Sequence, residues 1–344
     1  MPTTGWRPPP VKKPTLVGQT MDDTLAGDKI EDLRQLVDSN LAKIIEEQSV
    51  LYGEVAKCAG DVLLAGGKRL RPILILLAYE IAGGKEIEKI MPMALAAEFI
   101  HTATLVHDDI NDGADSRRGI PTLHSTHGQA KGIIGGDWLF SQGFYLGGRY
   151  DAAIVDILSG YCCDLACAEF SQLDHVMDLG TSPENYLDIV RGKTAGPFRA
   201  GCEAAAIVAG SSVENSKSLA RFGQELGIAF QLVDDLLDIL GDDRMGKPRG
   251  ADIYEGKMTL PLIHALTLLH GEKRERLAEL IVDFNDNSFE ELIQLLDSSQ
   301  SIQYAEILVK AHLERAMAEI ESFPDCTAKQ LLKHVVQMVP NRHS

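Results

Sequence analysis

From Leu25 onward the apolar residues of this chain recur at intervals of three and four, and this period limits what the chain can fold into. Ile30, Leu33, Leu36, Val37, Leu41, Ile44 and Ile45 set the pattern, which gathers apolar side chains on one stripe of a helix. Met93 to Val106 is Ala-rich and apolar on most sides, so it reads as a buried helix. Leu219 to Leu240 reads as another long helix. Its Gly223 and Gly227, four apart, permit close packing at a propensity cost of roughly 1 kcal/mol each. The spacing predicts further helices over 62–82, 130–148, 151–177, 184–209, 260–270, 287–297, 301–321 and 327–338. Breaks fall at Gly66-Gly67, Gly83-Gly84, the Arg-Arg-Gly-Ile-Pro stretch at 117–121, Gly180 to Pro183, and Gly241 to Gly256. Strand signals are scarce. Residues 1–20 hold five of the 14 prolines and lack periodicity, as a disordered tail does. The expected architecture is therefore all-α: a Pro-rich tail over 1–20, then one large helical bundle over 21–344 around a central cavity.

Two aspartate clusters stand out against this helical background. Asp108-Asp109-Ile110-Asn111-Asp112 and Asp234-Asp235-Leu236-Leu237-Asp238 share the spacing D-D-x-x-D, 126 residues apart. Each closes an apolar helical run. Acids at i and i+4 share a helix face and repel, and near a helix C-terminus the macrodipole disfavours them as well. Making that arrangement twice implies cations held between the clusters. Carboxylate oxygens without accompanying His or Cys ligands favour Mg²⁺. Protein-bound Mg²⁺ is commonly completed by water and substrate phosphates, which points to a phosphate ester as substrate.

The 344 residues carry a formal net charge of −17, which argues against general nucleic-acid binding. An anionic substrate then requires local cations, and these are present. Gly66-Gly67-Lys68-Arg69-Leu70-Arg71-Pro72 combines a free backbone with an Arg able to grip phosphate bidentately. Arg117-Arg118-Gly119 follows the first acid cluster. Lys193, Lys247 and Lys257 each follow a glycine, and Thr194 follows Lys193. His101 lies seven residues before Asp108, two turns away on the same face. Cys58, Cys162, Cys163, Cys167, Cys202 and Cys326 form no C-x-x-C pair. Cys162, Cys163 and Cys167 lie in an apolar helical stretch and are expected as small buried thiols. With no signal-peptide pattern and no uninterrupted apolar stretch of membrane-spanning length, the default location is the cytoplasm.

Taken together, these segments resemble the trans-type polyprenyl (isoprenyl) diphosphate synthases. The resemblance rests on Gly66 to Pro72, Ile100 to Asp109, Arg117 to Thr122, Gly192-Lys193-Thr194, Gln231 to Asp238 and Gly256 to Pro261, in the family's order and spacing. It implies an all-α isoprenoid synthase fold, a homodimer, and Mg²⁺-dependent condensation of an allylic diphosphate with isopentenyl diphosphate. Asp108 and Asp112 would bind two Mg²⁺ ions and Asp234 a third, with Asp109, Asp235 and Asp238 in support. Arg117, Lys193, Thr194, Gln231, Lys247 and Lys257 would contact the allylic diphosphate. Lys68, Arg71, His101 and Arg118 would hold isopentenyl diphosphate. No side-chain nucleophile is required. Asp108, Asp112, Asp234, Lys193 and Arg117 would carry the catalysis by stabilising the departing pyrophosphate.

Residues four, five, eight, eleven and twelve before Asp108 are Thr104, Ala103, Ile100, Ala97 and Ala96. In this family a bulky aromatic at the first two positions typically closes the product tunnel. Small residues there resemble the medium- and long-chain members, with products beyond C20; a C15 or C20 synthase is the alternative. A class I terpene cyclase would not need the Lys68, Arg71 and His101 set, and a non-catalytic subunit would be expected to have lost acids from one cluster.

Overall fold

A computed structural model describes residues 22–117, 119–241 and 249–341. Helix α1 (Asp23–Tyr52) begins at Asp22, whose side chain accepts from the Thr24 N–H as an N-cap. Then follow α2 (Glu54–Leu64), α3 (Leu70–Ile81) and α4 (Ile87–Asn111). A two-residue antiparallel hairpin, β1 (Ser116–Arg117) and β2 (Ile120–Pro121), leads into α5 (Leu123–His127), α6 (Gln129–Gly147) and α7 (Ala152–Asp174). Next come α8 (Pro183–Val190), a π turn (Arg191–Ala195), α9 (Gly196–Val208) and α10 (Val213–Leu240). The chain closes with α11 (Ala251–Tyr254), α12 (Leu260–Leu268), α13 (Glu272–Val282), α14 (Phe289–Ser298), α15 (Ser301–Glu321) and α16 (Thr327–Met338).

Two helices form the axis of this bundle. α4 packs against α6, α3, α9 and α1, and α10 packs against α15, α9 and the π turn. Along α4, Ile90, Ala94, Ala96, Phe99, Ile100 and Ala103 are fully covered. Full burial of each large apolar side chain stabilises the fold by about 1.5–3 kcal/mol. By length and composition α4 could cross a membrane, yet 72% of its apolar window is buried inside the protein. On α10, a Cβ at Gly223 would stand 2.4 Å from the Phe198 carbonyl oxygen, and one at Gly227 2.6 Å from Ala195 Cα. Glycine is what lets α10 lie directly on the backbone of α9 and the π turn.

Several elements differ from the sequence pattern. The segment 62–82 is two helices, because Gly66 (φ 96), Gly67 (φ 136) and Arg69 (φ 49) take left-handed backbone between α2 and α3. The segment 184–209 is helical throughout but widens into the π turn. α12 stops at Leu268, α14 runs from Phe289 to Ser298, and α4 begins earlier, at Ile87. α13 is absent from the sequence expectation because its charged sequence, Glu-Lys-Arg-Glu-Arg, hides the stripe of Leu277, Leu280 and Ile281. The cysteine expectation is also corrected: Cys163 and Cys167 are exposed and Cys162 is half-buried. They lie on α7, whose outer face also exposes Val155, Phe170 and Leu173. The tail over 1–20, Arg118 and Lys247 lie outside the described residues.

Candidate active site

Both acid clusters end a core helix. Asp108 is in the last turn of α4 and Asp112 is its C-cap, its N–H donating to the Asp108 carbonyl at 2.8 Å. Asp234, Asp235 and Asp238 occupy the last turns of α10. Within each cluster the middle acid is buried: Asp109 is 3% exposed and Asp235 2%. The helix period explains this, since the second D is turned a further 100° from the first, toward the core. Burial raises the Asp109 carboxyl above its usual range, against the Arg117 guanidinium, whose Nε donates to it at 2.6 Å. Burial and the nearby Asp252 push the Asp235 carboxyl up to about 8. Asp235 accepts from Tyr186 Oη at 2.5 Å and from Gln231 Nε2 at 2.7 Å. Asp238 accepts at its carboxylate from the Asp252 N–H at 3.3 Å.

Lysines already sit against these acids. Lys193 Nζ lies 3.6 Å from Asp108 and 2.8 and 2.9 Å from the two oxygens of Glu169. Lys257 Nζ lies 3.3 Å from Asp112 and is also bonded to Glu255. Burial opposes the Lys257 charge, but Glu255, Asp112 and Asp252 outweigh it and raise its pKa above the ordinary lysine value. The π turn delivers Lys193. A π turn holds one extra residue per turn and re-aims the side chains it carries. Gly192 makes room for it, since a Cβ there would stand 2.8 Å from the Asp164 carbonyl of α7. The next residue, Thr194, donates its hydroxyl to Gln231 at 2.7 Å, and Gln231 donates to Asp235. One continuous run of contacts therefore joins the clusters: Asp108, Lys193, Thr194, Gln231, Asp235 and Tyr186.

A second basic group comes from the glycine loop, α3 and α4. Arg71 donates from Nη1 to His101 Nε2 at 3.1 Å, with its guanidinium 5.0 Å from the centre of the Phe198 ring. Lys68 precedes it in the glycine loop. Arg69, between them, turns inward. It is 3% exposed and donates to Asp38 at 2.8 Å, Glu98 at 2.7 Å and the Leu63 carbonyl at 2.7 Å. Arg69 therefore ties α1, α2 and α4 together, a role the sequence does not separate from that of its neighbours.

Below the clusters lies a narrow apolar cavity lined by Met93 and Ala97 of α4, Ile75, Tyr161, Pro197 and Gly201 among others. Of the tunnel residues expected from sequence, Ala97 is on this wall. Ile100 clusters with Leu158, Tyr161, Leu165 and Ala200. Ile100 and Ala96 also meet α6 where Gly143 leaves room. Ala103 is fully buried, and Thr104 donates its hydroxyl to the His101 carbonyl at 2.8 Å. Glu169, Tyr186 and Asp252 contact the predicted site residues and Tyr161 lines the cavity, and the sequence reading did not single them out. No spacing rule marks them; Glu169 is one of four acids scattered along α7 and Tyr186 one aromatic on an amphipathic helix.

Comparison with known proteins adds an independent finding. The family model described as polyprenyl synthetase matches residues 53–297. The chain is 36% identical over 291 residues to an all-trans-nonaprenyl-diphosphate synthase (geranyl-diphosphate specific) of Rhodobacter capsulatus, covering 84% of this chain and 89% of that protein. It is 35% identical over 283 residues to a short chain isoprenyl diphosphate synthase of Methanocaldococcus jannaschii, covering 80% and 84%. A crystal structure of a polyprenyl synthase from Caulobacter crescentus, complexed with calcium and isoprenyl diphosphate, superposes with a TM-score of 0.84 at 32% identity, covering 92% of this chain and 98% of that one.

Proposed function

The chain belongs to the polyprenyl synthetase family and is a prenyltransferase, and we propose that it joins an allylic diphosphate head-to-tail to isopentenyl diphosphate, giving a product longer than C20. The observation that carries this reading is the presence of two basic groups beside the acid clusters and on α3 and α4. Lys193 and Lys257 stand on the acid clusters, while Arg71 and His101 form their own pair. One diphosphate belongs to each.

The donor set suits Mg²⁺. Its ligands are carboxylate oxygens only, and cationic ammonium groups already neutralise Asp108 and Asp112. Asp108, Asp112 and Asp234 would hold three ions, with Asp109, Asp235 and Asp238 fixing the helix ends. When bound, the ions supply electrostatic stabilisation of the departing pyrophosphate. Lys193, Lys257 and Arg117 aim further positive charge at the same group, with Arg117 held in place by Asp109. Thr194 and Gln231 offer hydrogen bonds, and Lys247 joins this group by sequence alone. Lys68, Arg71, His101 and Arg118 hold isopentenyl diphosphate so that its double bond faces the allylic carbon. As the allylic C–O bond breaks, the new C–C bond forms, and the proton lost from the isopentenyl unit passes to pyrophosphate. The apolar walls keep water from the cationic centre.

Relatives of nearly equal identity are named for a C45 product and for short products. Product length would therefore rest on this chain's own apolar cavity, whose wall includes Ala97 of α4 and Tyr161 of α7. The working form is a homodimer. Ile133, Ile134, Phe144 and Tyr145 of α6 and Val155, Phe170 and Leu173 of α7 leave an apolar face uncovered in the single chain.

The test is to incubate the protein with Mg²⁺, isopentenyl diphosphate and separate C5, C10, C15 and C20 allylic primers, and to measure product length. Chain elongation beyond C20 with consumption of isopentenyl diphosphate is expected. Turnover of a primer without such consumption would indicate a cyclase.

A further inference from the structure

Outside the acid clusters, the first turns of α2 meet the end of α5. Glu54 and Cys58 are four apart on α2 and share a face, and His127 is the last residue of α5. A Glu54 carboxylate oxygen, the Cys58 sulfur and a His127 ring nitrogen all lie within 4.8 Å of one another. Core packing fixes this meeting. Gly135 of α6 has no side chain, and a Cβ there would stand 2.3 Å from Leu123 of α5 and 4.0 Å from Ala59 beside Cys58. Gly128, at φ 86, ends α5 by donating its N–H to the His124 carbonyl at 2.8 Å, which holds His127 at the corner.

A cation already rests at this corner. Lys131 Nζ lies 2.7 Å from Glu54. Its hydrogen bond to Glu54, the Glu54 charge and the adjacent Cys58 together raise its hold on its proton.

We infer that Glu54, Cys58 and His127 form a binding site for a borderline-soft divalent cation, Zn²⁺ being the best match, distinct from the carboxylate clusters. Thiolate, imidazole and carboxylate are the three protein ligands of an open tetrahedral zinc site, with water in the fourth position. Mg²⁺ takes oxygen ligands and is a poor match for the sulfur. A thiolate, a carboxylate and a neutral imidazole carry two negative charges, which balance the ion. Zn–S of about 2.3 Å and Zn–N of about 2.0–2.1 Å place tetrahedral ligand atoms roughly 3.3–3.6 Å apart. The donors therefore draw in by about an ångström, which the exposed side chains of Glu54 and His127 allow. Binding releases the Cys58 thiol proton to solvent and displaces the Lys131 ammonium. The bound ion would pin α2 to the α5–α6 corner.

The experiment uses the full chain, stripped with a chelator and then saturated with Mg²⁺ so that the carboxylate clusters are filled. Zn²⁺ is added and counted, and Co²⁺ is added in parallel as a spectroscopic probe. One zinc per chain should survive excess Mg²⁺, and Co²⁺ should give a thiolate-to-metal charge-transfer band. Cys58→Ser and His127→Ala should each lose both, while melting like the wild type in chelator and retaining Mg²⁺-dependent turnover. Lys131→Ala keeps all three ligands and clears the competing ammonium. It should bind zinc about two- to fivefold more tightly, the worth of an exposed ion pair. Unchanged zinc stoichiometry in Cys58→Ser or His127→Ala, a missing thiolate band, or weaker binding by Lys131→Ala would each overturn the assignment.

Discussion

Arg69→Met separates a structural arginine from the substrate-facing residues beside it. The left-handed backbone at this position (φ 49) is the same strain for Arg and Met, so the substitution tests the side chain alone. Loss of the guanidinium affects three acceptors unequally. Asp38 is 31% exposed and keeps Arg34 at 2.6 Å, so its loss matters little. The Glu98 side chain is 5% exposed and loses the partner it had at 2.7 Å. Stranding one member of a buried ion pair costs about 3–5 kcal/mol. The unpaired Leu63 carbonyl adds about 1 kcal/mol or more. The expected loss is therefore about 4 kcal/mol at least. At about 2.1 cal/mol/K per residue, that lowers the midpoint by roughly 5–6 °C in a chain of 344 residues. The assay is calorimetry at fixed scan rate and protein concentration. Glu98→Gln in the Arg69→Met background should recover about half of the loss, because the stranded charge is gone. Below the transition, the KM for isopentenyl diphosphate should stay within about twofold of wild type, since no substrate contact is removed. A midpoint within about 1 °C of wild type, or a KM increase as large as that of Arg71→Met, would refute the structural role.

Asp108→Ala and Asp234→Ala should each lower turnover at least about a hundredfold with folding intact, as read by steady-state kinetics and circular dichroism. Arg71→Ala removes a charge-assisted contact worth about 1.5–3 kcal/mol, so the KM for isopentenyl diphosphate should rise by at least about tenfold while that for the primer changes little; Lys193→Ala should do the reverse. Tyr186→Phe removes one of the two side-chain donors that Asp235 has among the described residues, and calorimetric Mg²⁺ titration in the presence of a diphosphate should show about tenfold weaker binding. Ala97→Phe should shorten the product without abolishing the first condensation, and Tyr161→Ala should lengthen it, both read by chromatography of the extracted prenols.

The helical fold is legible because its stripes repeat for hundreds of residues, and the acid clusters because like charges at i and i+4 have no local reason to be there. The rest depends on information that pattern does not carry. Lys68, Arg69 and Arg71 look alike as a basic run, and only the left-handed turn at Arg69 decides which side chain points inward. Lys193 reads as one cation after a glycine until the π turn lays it on Asp108. Helix α13 is hidden by its charge, and Glu169 and Tyr186 become visible only through the partners that the fold brings to them. The cysteines of α7 were misplaced for a related reason. An apolar helix reads as buried from sequence, yet α7 keeps one apolar face exposed.

On the proposed function, the lysines that rest on Asp108 and Asp112 would make ion and substrate uptake a single reciprocal equilibrium. Lys193 and Lys257 lie against the acids as counter-ions, and the same ammonium groups are the ones proposed to take a diphosphate. Ions entering the clusters would free both ammonium groups, and a diphosphate that took them would make the acids more receptive to ions. Each ligand therefore raises the affinity for the other by the same factor. An enzyme of this design would stay open to dissociation until both had arrived, and its half-saturation for Mg²⁺ should fall as primer concentration rises.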